Sequence, residues 1–135
     1  MLKKVLDTII LPKEITDFER AHVKKINKIF FYFYLAHVPI FMTIAFFNDT
    51  GPLTAFVLTT ALCVGPTIAW TTIENPRSVG IVMGITSMLM GGLLVHFGQG
   101  PLQIEMHFYF FVLLALLAVF AVPMVIVAAA VTVAV

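Results

Sequence analysis

The chain's four histidines, His22, His37, His96 and His107, carry most of its capacity for ligand chemistry. Imidazole titrates near neutral pH and, when neutral, is a frequent metal ligand. Two of them bracket the stretch His96-Phe97-Gly-Gln-Gly-Pro-Leu-Gln-Ile-Glu105-Met106-His107-Phe108-Tyr109-Phe-Phe111, which joins one strongly apolar segment to the next. Ionisable groups beside a bilayer's hydrocarbon are costly, which makes His96, Glu105 and His107 candidate site residues. Copper or zinc would take three or four convergent N, O or S ligands, and His96, His107, Glu105 and Met106 offer that set. A b-type haem would need imidazoles from facing helices on either side of its ring, with walls such as Phe97, Phe108, Tyr109 and Phe111. The spacing leaves both open. Glu105 and His107 point roughly 200° apart on an ideal helix, so they share a ligand only if the first turn is irregular, whereas His107 and Phe111 lie on one face.

His37 is the other imidazole in an apolar segment, two residues before Pro39, which removes a backbone donor and frees the carbonyl four residues earlier. It reads either as neutral polar glue between helices or as a ligand or proton-linked switch. His22 lies among charged residues and reads as solvated surface. The single cysteine, Cys63, has no internal disulfide partner and reads as a small core residue. Met83, Met88 and Met90 read as flexible core filler rather than soft metal ligands. The chain has no Ser-His-acid set, phosphate loop or paired carboxylates, so no catalytic residues and no enzyme activity are expected.

The elements that must position these groups follow from composition. With 61% hydrophobic and 11% charged residues in 135, and a mean hydropathy of +1.05, the chain reads as an all-α polytopic membrane bundle, with the lipid bilayer as a partner and no nucleic acid. There is room for four or five spans of about 20 residues. Residues 1–28 alternate charged and apolar residues and predict an interfacial amphipathic helix, opened by Pro12, rather than a signal peptide. Residues 29–135 form the transmembrane domain. Its spans are predicted at 29–47, 53–71, 79–95 and 104–120, and a fifth opens at Pro123. The thirteen residues of that fifth span present give about 20 Å of helix, too short to cross, so the domain is expected to be incomplete at its C-terminus.

Seven of the eight Lys and Arg residues precede position 29 and the eighth is Arg77. By the positive-inside rule the N-terminus and the 72–78 loop are cytoplasmic, and the 48–52 and 97–103 turns lie outside. The opening Ile29-Phe30-Phe31-Tyr32-Phe33-Tyr34 resembles an aromatic belt at the headgroup level. Gly80, Gly84 and Ser87 permit close helix contact in the third span, and a purely structural reading has the chain dimerise through Gly80, Gly84 and the aromatic faces, with its histidines as polar glue.

The run Ile104-Glu105-Met106-His107-Phe108-Tyr109-Phe110-Phe111-Val112, with His96 ahead of a glycine turn and an apolar run to Phe120 behind it, resembles the membrane-embedded N-terminal region of bacterial signal transducers. These are methyl-accepting chemotaxis receptors, sensor histidine kinases and diguanylate cyclases, in which a His before a glycine turn is followed by Glu-x-His-Phe-His-Phe-Phe. His96, Glu105 and His107 match that pattern. Tyr109 stands where the family often has a third His, and the family carries a His-His pair on its next helix, where the sequence stops at Val135. The resemblance implies a sensory input domain in the bacterial inner membrane, paired as a homodimer and coupled to a cytoplasmic output domain. It would bind copper, zinc or haem b through His96, His107, Glu105 and His37. A small haem-binding electron-transfer subunit is the alternative from another class.

Overall fold

In a computed structural model, which describes residues 1–4 and 14–135, the chain is a bundle of helices with no strand among the described residues. Four segments are long and apolar enough to cross a membrane, so the protein is a membrane protein with transmembrane helices. Helix α1 runs Asp17–Phe47, α2 Pro52–Thr72 and α3 Pro76–Phe97. The fourth segment is split into α4, Gln103–Met106, and α5, Tyr109–Leu117, closed by a 3₁₀ turn over Ala118–Phe120. Helix α6, Pro123–Ala134, follows.

Local chemistry accounts for the boundaries. Thr16 caps α1 by accepting a hydrogen bond from the Glu19 amide at 3.2 Å, and Asp17 and Glu19 suit the positive end of the helix dipole. The helix expected to open at Pro12 thus has its described start after Thr16, and Pro12 itself lies outside the described residues. From Asp17 onward the amphipathic segment runs without a break into the first span, as one helix of 31 residues. Helices α2, α3 and α6 each begin on a proline, whose missing N–H would be unpaired in a first turn anyway.

The buried face of α1, Val23, Ile26, Asn27, Phe30, Tyr34, His37, Phe41 and Ala45, recurs every three or four residues, the period of one helical stripe. Phe30 and Tyr34 of the aromatic run therefore belong to the bundle core, whereas the rest of the run is exposed or partly exposed. Helical geometry turns Phe30 and Tyr34 inward and leaves Tyr32 exposed. Helix α2 buries a narrower stripe, Ala55, Thr59, Cys63, Pro66 and Ala69, and turns large apolar residues such as Leu53, Phe56 and Ile68 outward, as a lipid-facing helix does. Helix α3 is the axis of the bundle: half of its most apolar stretch is buried, and it packs on α1, α2, α5 and α6. The fourth segment has only 17% of its stretch buried and is the most loosely held span.

Close approach at the axis depends on small residues. An added Cβ at Gly84 would sit 2.8 Å from the Val125 carbonyl oxygen of α6, and one at Gly80 would sit 3.3 Å from Phe120 and Val125. These glycines are covered by the chain's own last helix, so the expected dimer contact through Gly80 and Gly84 is corrected to an internal one.

Candidate functional site

Hydrogen bonds at the two ends of the bundle define an up-and-down order. At one end Thr50 donates to the Phe97 carbonyl at 3.0 Å, joining the α1–α2 turn to the end of α3. At the opposite end, where Lys24, Lys25 and Lys28 lie, three contacts fasten the first turns of α1 to α3 and to the fourth segment. The Arg77 Nη2 donates to Glu19 Oε2 at 2.8 Å, Asn27 Nδ2 donates to the Pro76 carbonyl at 3.1 Å, and His22 Nε2 donates to the Val119 carbonyl at 2.8 Å. His22 is therefore half-buried and tied to the 3₁₀ turn, rather than a solvated surface residue. Sequence reasoning missed all three. Glu19 and Arg77 were visible as opposite charges, but 58 positions separate them.

The Arg77 guanidinium beside Glu19, outside the apolar stretch of α1, holds that carboxyl below its ordinary value of 4.5. A lowered folded-state pKa contributes stability above the unfolded value, and the contribution is lost as pH falls through the folded value. The stability gap between wild type and Glu19→Gln, measured by thermal unfolding in detergent, is thus expected to be present at pH 7 and to close on acidification below pH 4.5. A gap unchanged across that range would show that the pair does not act through charge.

The four expected ligand residues are not brought together. His96 is exposed at the end of α3, its ring against Phe97 with centroids 5.0 Å apart. Glu105 is exposed, and His107 is exposed with Nδ1 donating to the Gln103 carbonyl of its own turn at 2.9 Å. The turn is irregular, since the amides of His107, Phe108, Phe110 and Phe111 bond carbonyls three residues back. That tighter winding of about 120° per residue still directs Glu105 and His107 to different sides. Among the described residues no group of three or more His, Cys, Asp or Glu side chains could hold a metal ion. Of the aromatic walls, Phe97 is buried while Phe108 and Phe111 face outward. His96, His107 and Glu105 thus form no three-ligand copper or zinc centre among the described residues.

His37 is different. It is 4% exposed, and both ring nitrogens are engaged. Nδ1 lies 2.7 Å from the Phe33 carbonyl and Nε2 lies 2.7 Å from the Tyr109 hydroxyl. A carbonyl can only accept, so Nδ1 carries the proton, and in the neutral ring Nε2 then accepts from Tyr109. The pair links the middle of α1 to the start of α5, with Phe33 and Phe41 edge-on to the imidazole at centroid distances of 4.4 and 5.0 Å. Beside it is a cavity of about 280 Å³ lined by Phe33, Ala36, His37, Ile40, Phe41, Leu94 and Tyr109. Ala36 and Ile40 are exposed on the outer face of α1, so the cavity reaches the lipid side. Neither nitrogen is available to a metal or haem iron without breaking a hydrogen bond.

The cavity has room for a small apolar molecule beside a phenol and an imidazole that are paired with each other, so a ligand bonds either one only by displacing the other. The sequence marked Tyr109 as an aromatic wall and as the residue standing where a third His would be, but not as the partner of His37. The chain matches no family model, no curated protein and no solved structure.

Proposed function

We propose that the chain is a membrane-embedded sensory input module. Its ligand is a small, membrane-dissolved molecule bearing a hydrogen-bonding oxygen, which enters between α1 and the fourth segment and competes for the Tyr109 hydroxyl. The single observation that carries this reading is the 2.7 Å hydrogen bond between His37 and Tyr109, which closes one side of an apolar cavity open to lipid. A cavity near the lower end of the roughly 300–1,000 Å³ typical of small-ligand sites, with one polar pair fixing orientation, suits such a molecule. The loosely packed fourth segment supplies the movable part, and His22 on the Val119 carbonyl gives its inner end a contact with α1 that can report the change. Differential affinity for the two arrangements is the physical requirement. The concentration of Lys and Arg before position 29 supports a cytoplasmic N-terminus in a bacterial inner membrane, and the resemblance of His96, Glu105 and His107 to the transducer pattern supports a second copy and a cytoplasmic output domain.

Side-chain ¹⁵N shifts of His37, recorded in lipid nanodiscs while the small quinone menadione is titrated into the bilayer, test the reading. A saturable shift is expected in the wild type, with none in Ala36→Trp, which fills the cavity. Spin labels at the inner ends of α1 and the fourth segment are expected to change separation over the same titration. A shift that never saturates overturns the ligand site, and saturation with fixed label distances overturns sensing. Copper, zinc or haem recovered stoichiometrically with the wild type and lost in His37→Ala would restore a metal or haem reading in its place.

A further inference from the structure

A second site lies at the basic end of the bundle, away from the His37–Tyr109 cavity. Here a recess of about 730 Å³ is lined by Arg20, Lys24, Lys25, Lys28, Asn27, Trp70, Ile73, Glu74 and Pro76. Four cations stand against one carboxylate, a balance of 4 − 1 = +3. Among the described residues, the salt bridge at this end, Glu19 to Arg77, draws in none of the four. An anion is the natural occupant, and a positively charged cluster at the edge of the apolar helices faces the headgroup layer.

Asn27 makes the recess more than a charged surface. It is 2% exposed, its Nδ2 is committed to the Pro76 carbonyl, and its Oδ1 has no hydrogen-bond partner among the described residues. A buried acceptor left unpaired carries a desolvation cost that a donor would remove. Glu74 is a second acceptor in the same lining. The occupant these groups describe has an anionic phosphate for the lysines and arginine, together with hydroxyl donors for Asn27 and Glu74. Trp70, its ring 4.8 Å from that of Phe31, is the kind of amphipathic ring found at the level where acyl chain meets headgroup.

We infer that this recess binds the glycerophosphate headgroup of an anionic phospholipid, phosphate on the basic residues and a headgroup hydroxyl donating to Asn27 Oδ1. A lipid held there touches both the inner turns of α1 and the α2–α3 connection, and so steadies the end of the bundle through which any change in the span packing would pass.

Trp70 is the only tryptophan in the chain, so its fluorescence reports this recess alone. The intact chain is placed in vesicles containing brominated phosphatidylglycerol, phosphatidylethanol or phosphatidylcholine. The first two carry the same charge, and only phosphatidylglycerol has headgroup hydroxyls. Phosphatidylglycerol is expected to quench Trp70 with about tenfold higher relative affinity than phosphatidylcholine and severalfold higher than phosphatidylethanol. Lys24→Gln with Lys28→Gln is expected to remove the first preference, and Asn27→Val the second, while quenching by phosphatidylcholine stays as in the wild type and shows that the fold persists. Equal quenching by phosphatidylglycerol and phosphatidylethanol would overturn headgroup recognition. Equal quenching by all three would overturn the site. Displacement of the lipid by millimolar soluble glycerophosphoglycerol would overturn a lipid occupant in favour of a free one.

Discussion

Gly84→Leu is expected to destabilise the bundle by about 3 kcal/mol and to push α6 off α3. The cause is backbone against side chain. A Cβ at position 84 sits 2.8 Å from the Val125 carbonyl oxygen and 3.1 Å from its Cγ1, and only the second of those atoms can rotate away. Everything beyond Cβ must enter a seam already filled by Val125 and Ala129, both fully buried. In a bilayer, helices associate through close packing rather than through a hydrophobic gain, so separation forfeits the contact with little in return. Gly92 is the control, because a Cβ there meets nothing within 4 Å, and Gly92→Leu is expected to stay within about 0.5 kcal/mol of wild type. Unfolding in mixed detergent gives both energies, and spin labels at the exposed residues Ile85 and Val127 are expected to move apart only in Gly84→Leu. Equal destabilisation by the two variants would show that the α3–α6 seam does not set the cost, since helix propensity favours leucine over glycine at both positions.

That seam is also where the sequence was most readable. Small residues four apart in an apolar segment announce a close contact, and the number and rough limits of the four spans follow from length and hydropathy. The identity of the partner does not. Gly80 and Gly84 would look the same whether they met a second copy or, as here, the helix forty residues on. The contacts at the basic end were hidden for a similar reason. Glu19 with Arg77 and His22 with the Val119 carbonyl are pairs made by topology, and one partner of the second is a backbone atom that no side-chain pattern marks.

The candidate site shows the limit most sharply. Spacing identified His37 as a buried imidazole with a choice between glue and ligand, and identified His96, Glu105 and His107 as ionisable groups at a span's end. It could not fix whether they converge, because His107 satisfies itself on the Gln103 carbonyl and His96 turns outward. The residue that does meet His37 is Tyr109, 72 positions away. A phenol and an imidazole have no characteristic spacing in sequence, so only the packing of α5 on the bundle reveals the pair.

Tyr34→Ala is expected to cost about 3–5 kcal/mol. Tyr34 is 1% exposed at the α1–α3 contact, where its hydroxyl lies 2.5 Å from the Met83 carbonyl and 2.7 Å from Ser87 Oγ. The carbonyl can only accept, so Tyr34 donates to Met83, and the Ser87 hydroxyl, itself fully buried, donates to Tyr34. Truncation opens a cavity beside Phe30 and leaves Ser87 without its acceptor. The two contributions separate experimentally. Tyr34→Phe keeps the ring and loses only the hydroxyl, and is expected to cost about 0.5–1.5 kcal/mol, since hydrogen bonds between membrane helices are individually modest. Ser87→Ala in the Tyr34→Phe background is then expected to add nothing or to recover part of that loss, because it removes the stranded hydroxyl. Mixed-detergent unfolding of Tyr34→Ala, Tyr34→Phe, Ser87→Ala alone and the Tyr34→Phe, Ser87→Ala double variant closes the cycle. Should Tyr34→Phe cost as much as Tyr34→Ala, the hydrogen bonds and not the packing of the ring would hold α1 to α3, and the view of this contact as a packed aromatic with a polar tie would be wrong.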